Sequence, residues 1–307
     1  MKRLKFIIII VLCNFLSKNL HSQSYYYNDN YYNTNLFYEF GASVGVMNCI
    51  TDIGGANTDN AFYINEIKPK NNHLSTSLYA GVLYRDFVGI RLEGTLGRVG
   101  AADSTITGKS NNLVSKRVRN LSFRSKIAEL TLLAEIHPLE LINLQIIPYF
   151  SPYLIGGLGY FSFNPQAQLN GTWIDLQPLS TEGQGFEEYP DRKPYSLSQF
   201  NIPMGFGVRY EMSQKFNLRV EFIHRRLFTD YLDDASNKKL IDPALFAKYL
   251  SPVQAANARA LYNRSLDGSA PIYRGHVQNK DAYMSLSVRL GLVLGRETSS
   301  RRSLKCF

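Results

Sequence analysis

The strongest limit on the fold of this chain comes from residues 200–234, which alternate between apolar and polar side chains. Apolar residues share one face of the first half: Ile202, Met204, Phe206, Val208 and Tyr210. The intervening positions carry Pro, Gly or charged residues, ending in Arg209 and Glu211. A repeat of two is the period of a β-strand. After a short turn at 213–215 the alternation returns, so the segment predicts a β-hairpin with one apolar and one charged face.

Two classes of fold are consistent with such a hairpin. A soluble sheet would bury the apolar face beneath a second layer, whereas an outer-membrane barrel would turn it to lipid and keep the charges inside. The aromatic content, 20 Tyr and 18 Phe, suits the interfacial belts of a membrane barrel and also suits a sugar-binding β-protein. The mean hydropathy of −0.19 argues against a helical membrane protein.

Segments with the pattern of a strand recur along the whole chain. The predicted strands are 37–47, 75–85, 87–98, 123–137, 145–163, the two halves of the hairpin, and 281–294. Long connections at about 47–74, 99–122, 164–198 and 233–279 alternate with short turns at 85–87, 138–143 and 213–215. Within the last loop, 244–249 and 253–262 have helical composition. This alternation is typical of an up-and-down barrel with short periplasmic turns and long external loops, and a Greek-key sandwich gives no reason for it.

The predicted fold class is therefore all-β, an eight-stranded antiparallel up-and-down transmembrane β-barrel. Crossing a bilayer at a tilt takes roughly 9–11 residues, which the predicted strands supply. Closure of the barrel pairs every backbone group, as the bilayer core requires. The predicted location is the outer membrane of a Gram-negative cell, with lipid around the barrel and both termini in the periplasm.

Four regions are predicted along the chain. Residues 1–22 have the basic start and short apolar core of a secretory signal peptide. Residues 23–36 are a flexible Tyr- and Asn-rich segment, 37–295 form the barrel, and 296–307 form a basic periplasmic tail. The signal holds four positive charges and no acid, so its removal lowers the formal net charge from +9 to +5. Export and this diffuse charge argue against nucleic acid as a partner.

Ten charged residues are predicted to face the interior of the barrel. They are Glu39, Arg91, Glu93, Glu129, Glu135, Arg209, Glu211, Arg219, Glu221 and Arg289. An eight-stranded barrel is just wide enough to be filled by its own side chains, and an unpaired charge there would cost several kcal/mol. We therefore expect an ion-pair network in place of a conducting pore or a catalytic pair of carboxylates.

Sequence motifs for catalysis and metal binding are missing from the predicted barrel. The histidines of the mature chain are scattered and show no metal-ligand spacing such as HExxH, and there is no nucleophile elbow. The chain is predicted to be non-enzymatic and to need no cofactor. The alternative is a hydrolase or acyltransferase built on an outer-membrane barrel.

A cluster of acids closes the seventh predicted strand at its external end. It consists of Asp230, Asp233 and Asp234. Three carboxylates within five residues either ligate a divalent cation through oxygen or cap the turn by bonding nearby amides. The capping interpretation is the simpler one.

The tail combines positive charge with a cysteine. Arg301, Arg302 and Lys305 surround Cys306 near the end of the chain. An oxidising compartment permits disulfides, so Cys306 is predicted to be free to meet a thiol of another protein. Cys49 belongs to the opposite side of the membrane in this topology, and an internal Cys49–Cys306 bridge would contradict the barrel.

Several segments together resemble a known family. They are 38–41 (Tyr-Glu-Phe-Gly), 52–55 (Asp-Ile-Gly-Gly), 152–161, 201–208 and 225–234, the last ending in Thr-Asp-Tyr-Leu-Asp-Asp. This set is similar to the PorG-like outer-membrane proteins of Bacteroidota, a component of the type IX secretion system, and it covers nearly all of the mature chain. Gly-rich strands are common to many barrels, so 225–234 is the more specific part.

The resemblance implies a non-enzymatic role in exporting folded proteins that carry a C-terminal sorting domain. It also implies contact with a periplasmic ring made by a lipoprotein and its partner, similar to PorK and PorN. On this basis the tail, and Cys306 above all, is the predicted contact with the ring, through a disulfide. The loop at 233–279 departs from the family pattern as an insertion. The rival interpretation is a general surface barrel, an anchor or adhesin, that acts through its external loops.

Overall fold

The computed structural model describes residues 34–55, 69–106, 111–139, 150–237, 240–268, 274–275 and 280–296. Its strands and α-helices are β1 (Leu36–Ile50), β2 (His73–Tyr84), β3 (Val88–Ala102), α1 (Asn111–Arg119), β4 (Ser122–Ile136), β5 (Phe150–Leu169), β6 (Thr172–Asp175), β7 (Ser198–Glu211), β8 (Phe216–Leu227), α2 (Leu245–Tyr249), α3 (Pro252–Tyr262) and β9 (Ala282–Leu294). One compact unit comprises Asn35–Gly295. The predicted signal peptide, most of the segment at 23–36 and the tail from 297 onward lie outside the described residues.

Eight of these strands form a closed antiparallel barrel. Each long strand pairs with the next one along the chain, and the last strand, β9, pairs with the first, β1. Tyr38 lies opposite Leu294 in this closing pair, and the register continues to Ile50 opposite Ala282. The short β6 pairs only with the far end of β5. The predicted eight-stranded up-and-down barrel is confirmed.

The two faces of the wall differ sharply in polarity. Along β4 the side chains alternate between buried and exposed from Ile127 to Ile136. Large apolar side chains cover the outside of every barrel strand, including Phe40, Val44, Leu78, Ile90, Leu92, Leu130, Leu132, Leu154, Leu158, Phe206, Val220, Val288 and Leu290. Many buried charged side chains face the inside. A wall that is apolar outside, polar inside and fully paired along its edges is suited to a bilayer, so this is a barrel of the outer-membrane type.

The barrel has a turn end and a loop end. At the turn end, β2 and β3 are joined by a tight turn in which Arg85 and Asp86 both have positive φ, 48° and 56°. The chain enters β1 and leaves β9 at this same end, since Leu36 pairs with Tyr84 and Tyr38 with Leu294. The predicted turn at 138–143 lies partly outside the described residues.

The loop end contains regular structure that fills the predicted loops. The helices expected at 244–249 and 253–262 are confirmed as α2 and α3, and Ser251 caps α3 through a capping box with Gln254. The long connection predicted at 99–122 contains α1, a helix that the sequence analysis did not predict. The loop predicted at 164–198 is also more ordered than expected, since β5 continues to Leu169 and forms a hairpin with β6. None of the helices in the described part of the chain has the length and apolar character needed to cross a membrane.

Two apolar clusters lie at the loop end. One is built from the parts of the strands nearest the loop end and from the adjoining loop residues, and includes Met47, Phe123, Phe161, Leu232 and Tyr283. The second lies in the long loops, their helices and the far end of β5, and includes Leu176, Phe186, Phe246, Ala258 and Leu261. The long connections therefore fold into a packed structure, which we call the cap.

The outward leucines provide a test of the membrane assignment. Leu130 lies in the middle of β4 and is 55% exposed, whereas Leu74 lies at the loop end of β2 and is 68% exposed. A charge on the lipid face costs about 2–4 kcal/mol at the bilayer midplane and about 0–1 kcal/mol near the interface. Leu130→Arg should therefore lower the free energy of unfolding of the barrel in lipid vesicles far more than Leu74→Arg does. Equal effects in denaturant titrations would contradict a bilayer around this wall.

Candidate functional site

The centre of the barrel interior is an ion-pair network around Arg91 and Glu221. Arg91 donates from two nitrogens to the two oxygens of Glu221, at 2.7 and 3.0 Å. The same guanidinium lies 2.7 Å from Glu135 and 3.3 Å from Glu93. All four side chains are almost completely buried. Period-two alternation places them inward, and the narrow bore brings them together.

Two further arginines extend this network around the bore. Arg289 makes a bidentate pair with Glu93, at 2.8 and 2.9 Å, and lies 2.6 Å from Glu221. Arg219 bridges Glu135 and Glu39, at 2.7 Å to each. Bidentate, charge-assisted hydrogen bonds of this kind are among the strong ones. The network connects β1, β3, β4, β8 and β9 across the interior.

Neutral side chains also donate hydrogen bonds to the glutamates of the network, and a search of the sequence for charged residues would not find them. Tyr79 donates to Glu39 at 2.8 Å, Asn217 donates to Glu39 at 3.0 Å, and Tyr153 donates to Glu221. Gly291 faces the same space, where a Cβ atom would lie 2.7 Å from the Tyr79 hydroxyl. The absence of a side chain at this glycine therefore makes room for the network.

Smaller ion pairs lie on either side of the central network. Towards the loop end, Arg225 donates to Glu129 at 2.7 Å and to Ser285 at 2.8 Å. Towards the turn end, Arg209 lies 2.8 Å from Asp86. The sequence prediction named Glu129 and Arg209 but missed Arg225 and Asp86. Continued alternation along β8 would have identified Arg225, whereas Asp86 lies in a turn that has no period.

Nine of the ten residues predicted to face the interior are buried there. The exception is Glu211, which is half-buried where β7 ends. The space between Glu39, Tyr79, Arg91 and Arg219 is too small to hold a water molecule, with an accessible volume of about 0 Å³. The described side chains thus fill the interior at this level.

The cap is fixed to the barrel by Asp103 and Arg119, a pair that sequence reasoning missed. Asp103 follows β3 and accepts two hydrogen bonds from Arg119, both at 2.8 Å. It also accepts from the backbone amides of Gly54 and Leu121, at 3.0 Å each. Arg119 in turn donates to the backbone carbonyls of Asp52 and Arg274. No sequence period marks this contact, because its members come from three separate loops.

The predicted acidic cluster is buried within the cap. Asp233 accepts from the backbone amides of Ile53 at 2.9 Å and Ala235 at 3.0 Å. Asp234 accepts from the hydroxyls of Tyr195 at 2.7 Å and Thr181 at 2.5 Å. These two carboxylates therefore act as acceptors for loop amides and hydroxyls. Among the residues that the structure describes, no group of His, Cys, Asp or Glu is arranged to hold a metal ion.

The third aspartate of the cluster has a different environment. Asp230 is 3% exposed, and neither carboxylate oxygen has a hydrogen-bond partner of normal geometry. Burial raises the pKa of Asp230 to about 9, with Ser236 opposing the shift and Asp52 adding to it. Burial and repulsion from Asp52 raise the pKa of Asp233 to about 7. The pKa of Asp281 is also raised, by burial and by Asp233. The carboxyl of Asp230 therefore favours its protonated form at neutral pH.

The segments at 52–55 and 225–234, which were compared above with a known family, contact each other in the structure. The amide of Ile53 donates to Asp233, and the amide of Leu232 donates to Asp281 at 2.9 Å. Leu232 is fully buried, and Arg225 at the other end of the second segment belongs to the barrel interior. Both segments therefore serve to close the loop end of the barrel.

Comparison with known proteins identifies one matching family model and several solved structures with a similar fold. The family model described as "Domain of unknown function (DUF6089)" matches residues 29–244. No curated protein sequence matches the chain. Among solved structures it is similar to Ail, the attachment invasion locus protein of Yersinia pestis, in complex with the heparin analogue sucrose octasulfate. The identity is 10%, over 85% of this chain and 98% of that chain, with a TM-score of 0.34.

Two other solved structures show a similar extent of overlap. For Neisserial surface protein A the identity is 9%, over 84% of this chain and 96% of that chain, with a TM-score of 0.35. For the outer membrane protein OprG of Pseudomonas aeruginosa it is 12%, over 85% and 96%, with a TM-score of 0.31. The barrel architecture itself follows from the strand pairing described above.

The interior network should make a large contribution to stability once one of its members is removed. Glu221→Gln leaves the guanidinium groups of Arg91 and Arg289 short of a buried negative charge. Breaking a buried ion pair in this way costs about 3–5 kcal/mol. The matched control is Glu187→Gln, because Glu187 is 83% exposed and lies 3.7 Å from Lys248. We expect the first change to lower the denaturation midpoint of the barrel in detergent and the second to leave it unchanged. Equal midpoints would contradict this account.

The buried aspartates should make the cap less stable at alkaline pH. The folded-state pKa of Asp230, about 9, lies above the unfolded value of about 3.9. The folded cap therefore binds more protons than the unfolded chain across this window, and its stability falls as pH rises through it. We expect proteolysis within the cap to be faster at pH 9 than at pH 6.

Asp230→Asn provides the specific test of that pH dependence. The amide cannot ionise, so the variant should show a weaker dependence of proteolysis on pH than the wild-type protein. The control is Asp191→Asn, which changes an exposed residue. If both variants keep the wild-type dependence, the buried carboxyl of Asp230 is not its source.

Proposed function

This chain belongs to the DUF6089 family, and on that premise we propose that it is a non-enzymatic scaffold of the outer membrane that takes part in type IX protein secretion. In this role the barrel anchors the protein and conducts no solute. Contact with a periplasmic ring, of proteins similar to PorK and PorN, is made by the tail at 296–307. The ring and its partners serve the export of folded proteins.

The observation that carries the scaffold role is the filled interior. Arg91, Arg219 and Arg289 each donate hydrogen bonds to buried glutamates, and no water-sized volume remains beside Glu39 and Arg91. A barrel filled in this way has no space for a substrate or a conduction path. The work of the protein is therefore done at its two ends and on its outer wall.

The link to type IX secretion is supported by the resemblance at 52–55 and 225–234. These segments are the ones that pack together at the loop end, through Ile53 and Asp233. The tail follows β9 directly at the turn end, which is the periplasmic end in this proposal. Its residues Arg301, Arg302, Lys305 and Cys306 are the proposed contact with the ring, with a disulfide at Cys306.

A second function is favoured by the structure of the cap. Its own apolar cluster, with Phe186, Phe246 and Leu261 at its centre, gives the long loops a defined surface. Val253 on α3 is 71% exposed and Leu266 is 73% exposed. A barrel that presents such a surface would serve as a general surface anchor or adhesin acting through its loops.

Removal of the tail separates the two functions. Envelope membranes from cells carrying wild-type protein, Cys306→Ser or a deletion of 296–307 are solubilised in mild detergent and the barrel is purified. We expect the wild type to bring down ring proteins and to show a thiol-sensitive band of higher mass on a non-reducing blot. Cys306→Ser should lose the band, and the deletion should lose the ring proteins as well.

Two controls make this result interpretable. Heat-modifiable mobility in electrophoresis shows whether each variant still forms the barrel. Val253→Ser changes an exposed side chain of the cap and should leave ring binding intact. If neither tail variant reduces ring binding, the tail is not the contact, and the surface-anchor function is favoured.

A further inference from the structure

The outer wall of β3 and β4 carries a pair of positive charges at the loop end. Arg98 and Lys126 are directly opposite each other in the register of these strands, and both side chains are exposed on the outside. Like charges in this cross-strand position repel. Neither Arg98 nor Lys126 has an acidic partner among the residues that the structure describes. The arrangement is unfavourable unless a negative group from outside lies between them.

The position of Arg98 along β3 coincides with the edge of a bilayer. The outward residues before it, from Ile90 to Leu96, are apolar or glycine. The ten steps from Val88 to Arg98 cover about 34 Å at roughly 3.4 Å per residue, and a strand tilt of about 40° reduces this to about 26 Å across the membrane. The apolar band of such barrels is about 25 Å tall. Arg98 and Lys126 therefore lie at the depth of lipid head groups.

A third arginine adjoins this pair and is held in place. Arg124 lies opposite Gln166 of β5 and donates to its side chain at 3.0 Å. Its guanidinium lies over the ring of Trp173 at 3.6 Å. Asp175, which lies opposite Gln166 in the β5–β6 hairpin, accepts from Asn164 at 3.0 Å and from Gln166 at 2.6 Å. We call Arg98, Lys126 and Arg124 the basic rim. Trp173, which packs on Arg124, is the only tryptophan in the chain.

A groove continues from the basic rim down the apolar wall. Its upper part has a volume of about 350 Å³ and is lined by Arg98, Lys126, Ala128, Ser162 and Asn164, among others. Its lower part, about 810 Å³, is lined by Leu78, Gly94, Ala128 and Tyr160, among others. The two parts share Leu96, Ala128 and Ser162. Small side chains between larger ones create this depression, and a Cβ atom at Gly94 would meet nothing within 4 Å.

We propose that this groove binds one phosphorylated lipid of the surrounding leaflet. The phosphate lies between Arg98 and Lys126, within reach of Arg124, and an acyl chain lies in the apolar furrow beside Gly94. Charge complementarity selects an anionic head group, and the continuity of the rim with the furrow selects a lipid over a soluble anion. Because the site is on the wall between β3 and β5, it is independent of the tail and of type IX secretion.

The fluorescence of Trp173 provides a direct readout, since this ring packs on Arg124 at the rim. The purified full-length protein in dodecyl maltoside micelles is titrated with diphosphoryl lipid A and, separately, with phosphatidylcholine. We expect a saturable change with the first lipid and none with the second. The double variant Arg98→Gln/Lys126→Gln should weaken the apparent affinity at least tenfold. It removes a repulsion from the wall, so it should fold as well as the wild type.

Two further variants separate the parts of the site. Arg226→Gln removes an exposed outward arginine at the loop end of β8 and should leave binding unchanged. Gly94→Phe fills the furrow and should weaken lipid binding while Arg98 and Lys126 are intact. Inorganic phosphate, without lipid, is titrated against the wild-type protein and against the Gly94→Phe variant.

Each outcome decides the proposal. Wild-type affinity in the Arg98→Gln/Lys126→Gln protein would overturn it. A response to inorganic phosphate as strong as the response to the lipid, unaffected by Gly94→Phe, would also overturn it in favour of a simple anion site. Equal loss in Arg226→Gln would show a general effect of surface charge and would equally reject a specific lipid site.

Discussion

The structure depends on one constraint, which is that a chain crossing a bilayer must satisfy its polar groups internally. Pairing of β9 with β1 satisfies the backbone, since no strand edge remains within the barrel wall. The side chains meet the same requirement through Glu221, which receives Arg91, Arg289 and Tyr153 at the centre of the bore. Each of these groups lies on a different strand, so the network is complete only when the strands have closed in the correct register. A slip of one residue would turn Glu221 to the lipid.

The interior ion pairs and the cap are joined by one continuous segment of the chain. Arg225 and Glu129 form the uppermost ion pair of the described interior, and Arg225 begins the segment that continues to Asp233 and Asp234. Burial of those aspartates is costly, and the cap offsets the cost with donors from other loops and with protonation. A buried ion pair is weak support for net stability, because its desolvation offsets much of the attraction. What these groups supply here is a single arrangement of strands and loops.

How well each region could be predicted from the sequence depends on how far apart along the chain its contacting residues lie. Strand positions, the two faces of the wall and most interior charges could be predicted, because period two is a local property of residues such as Arg219 and Glu221. The pair Asp103–Arg119 could not, because neither residue lies in a strand and its further partners, which are Gly54, Asp52 and Arg274, come from two other loops. Helix α1 was missed for a related reason: nine residues with three cations in the last turn read as a polar loop. The aspartates at 230, 233 and 234 were visible as a motif, but their burial was not.

A filled barrel leaves its outer surface as the place where departures from the pattern carry information. Inside, the buried arginines and glutamates of the described strands pair with one another, so a charged residue there indicates packing. On the outside, the even-numbered residues of β3 from Ile90 to Leu96 are apolar or glycine, and Arg98 is the first charged residue of this row. A lone cation at that depth would be ordinary, since it reaches the interfacial region by itself. A second cation held opposite it, beside a furrow in the wall, is not explained by the folding of the barrel. It is explained by a ligand that carries the missing negative charge and also has an apolar chain.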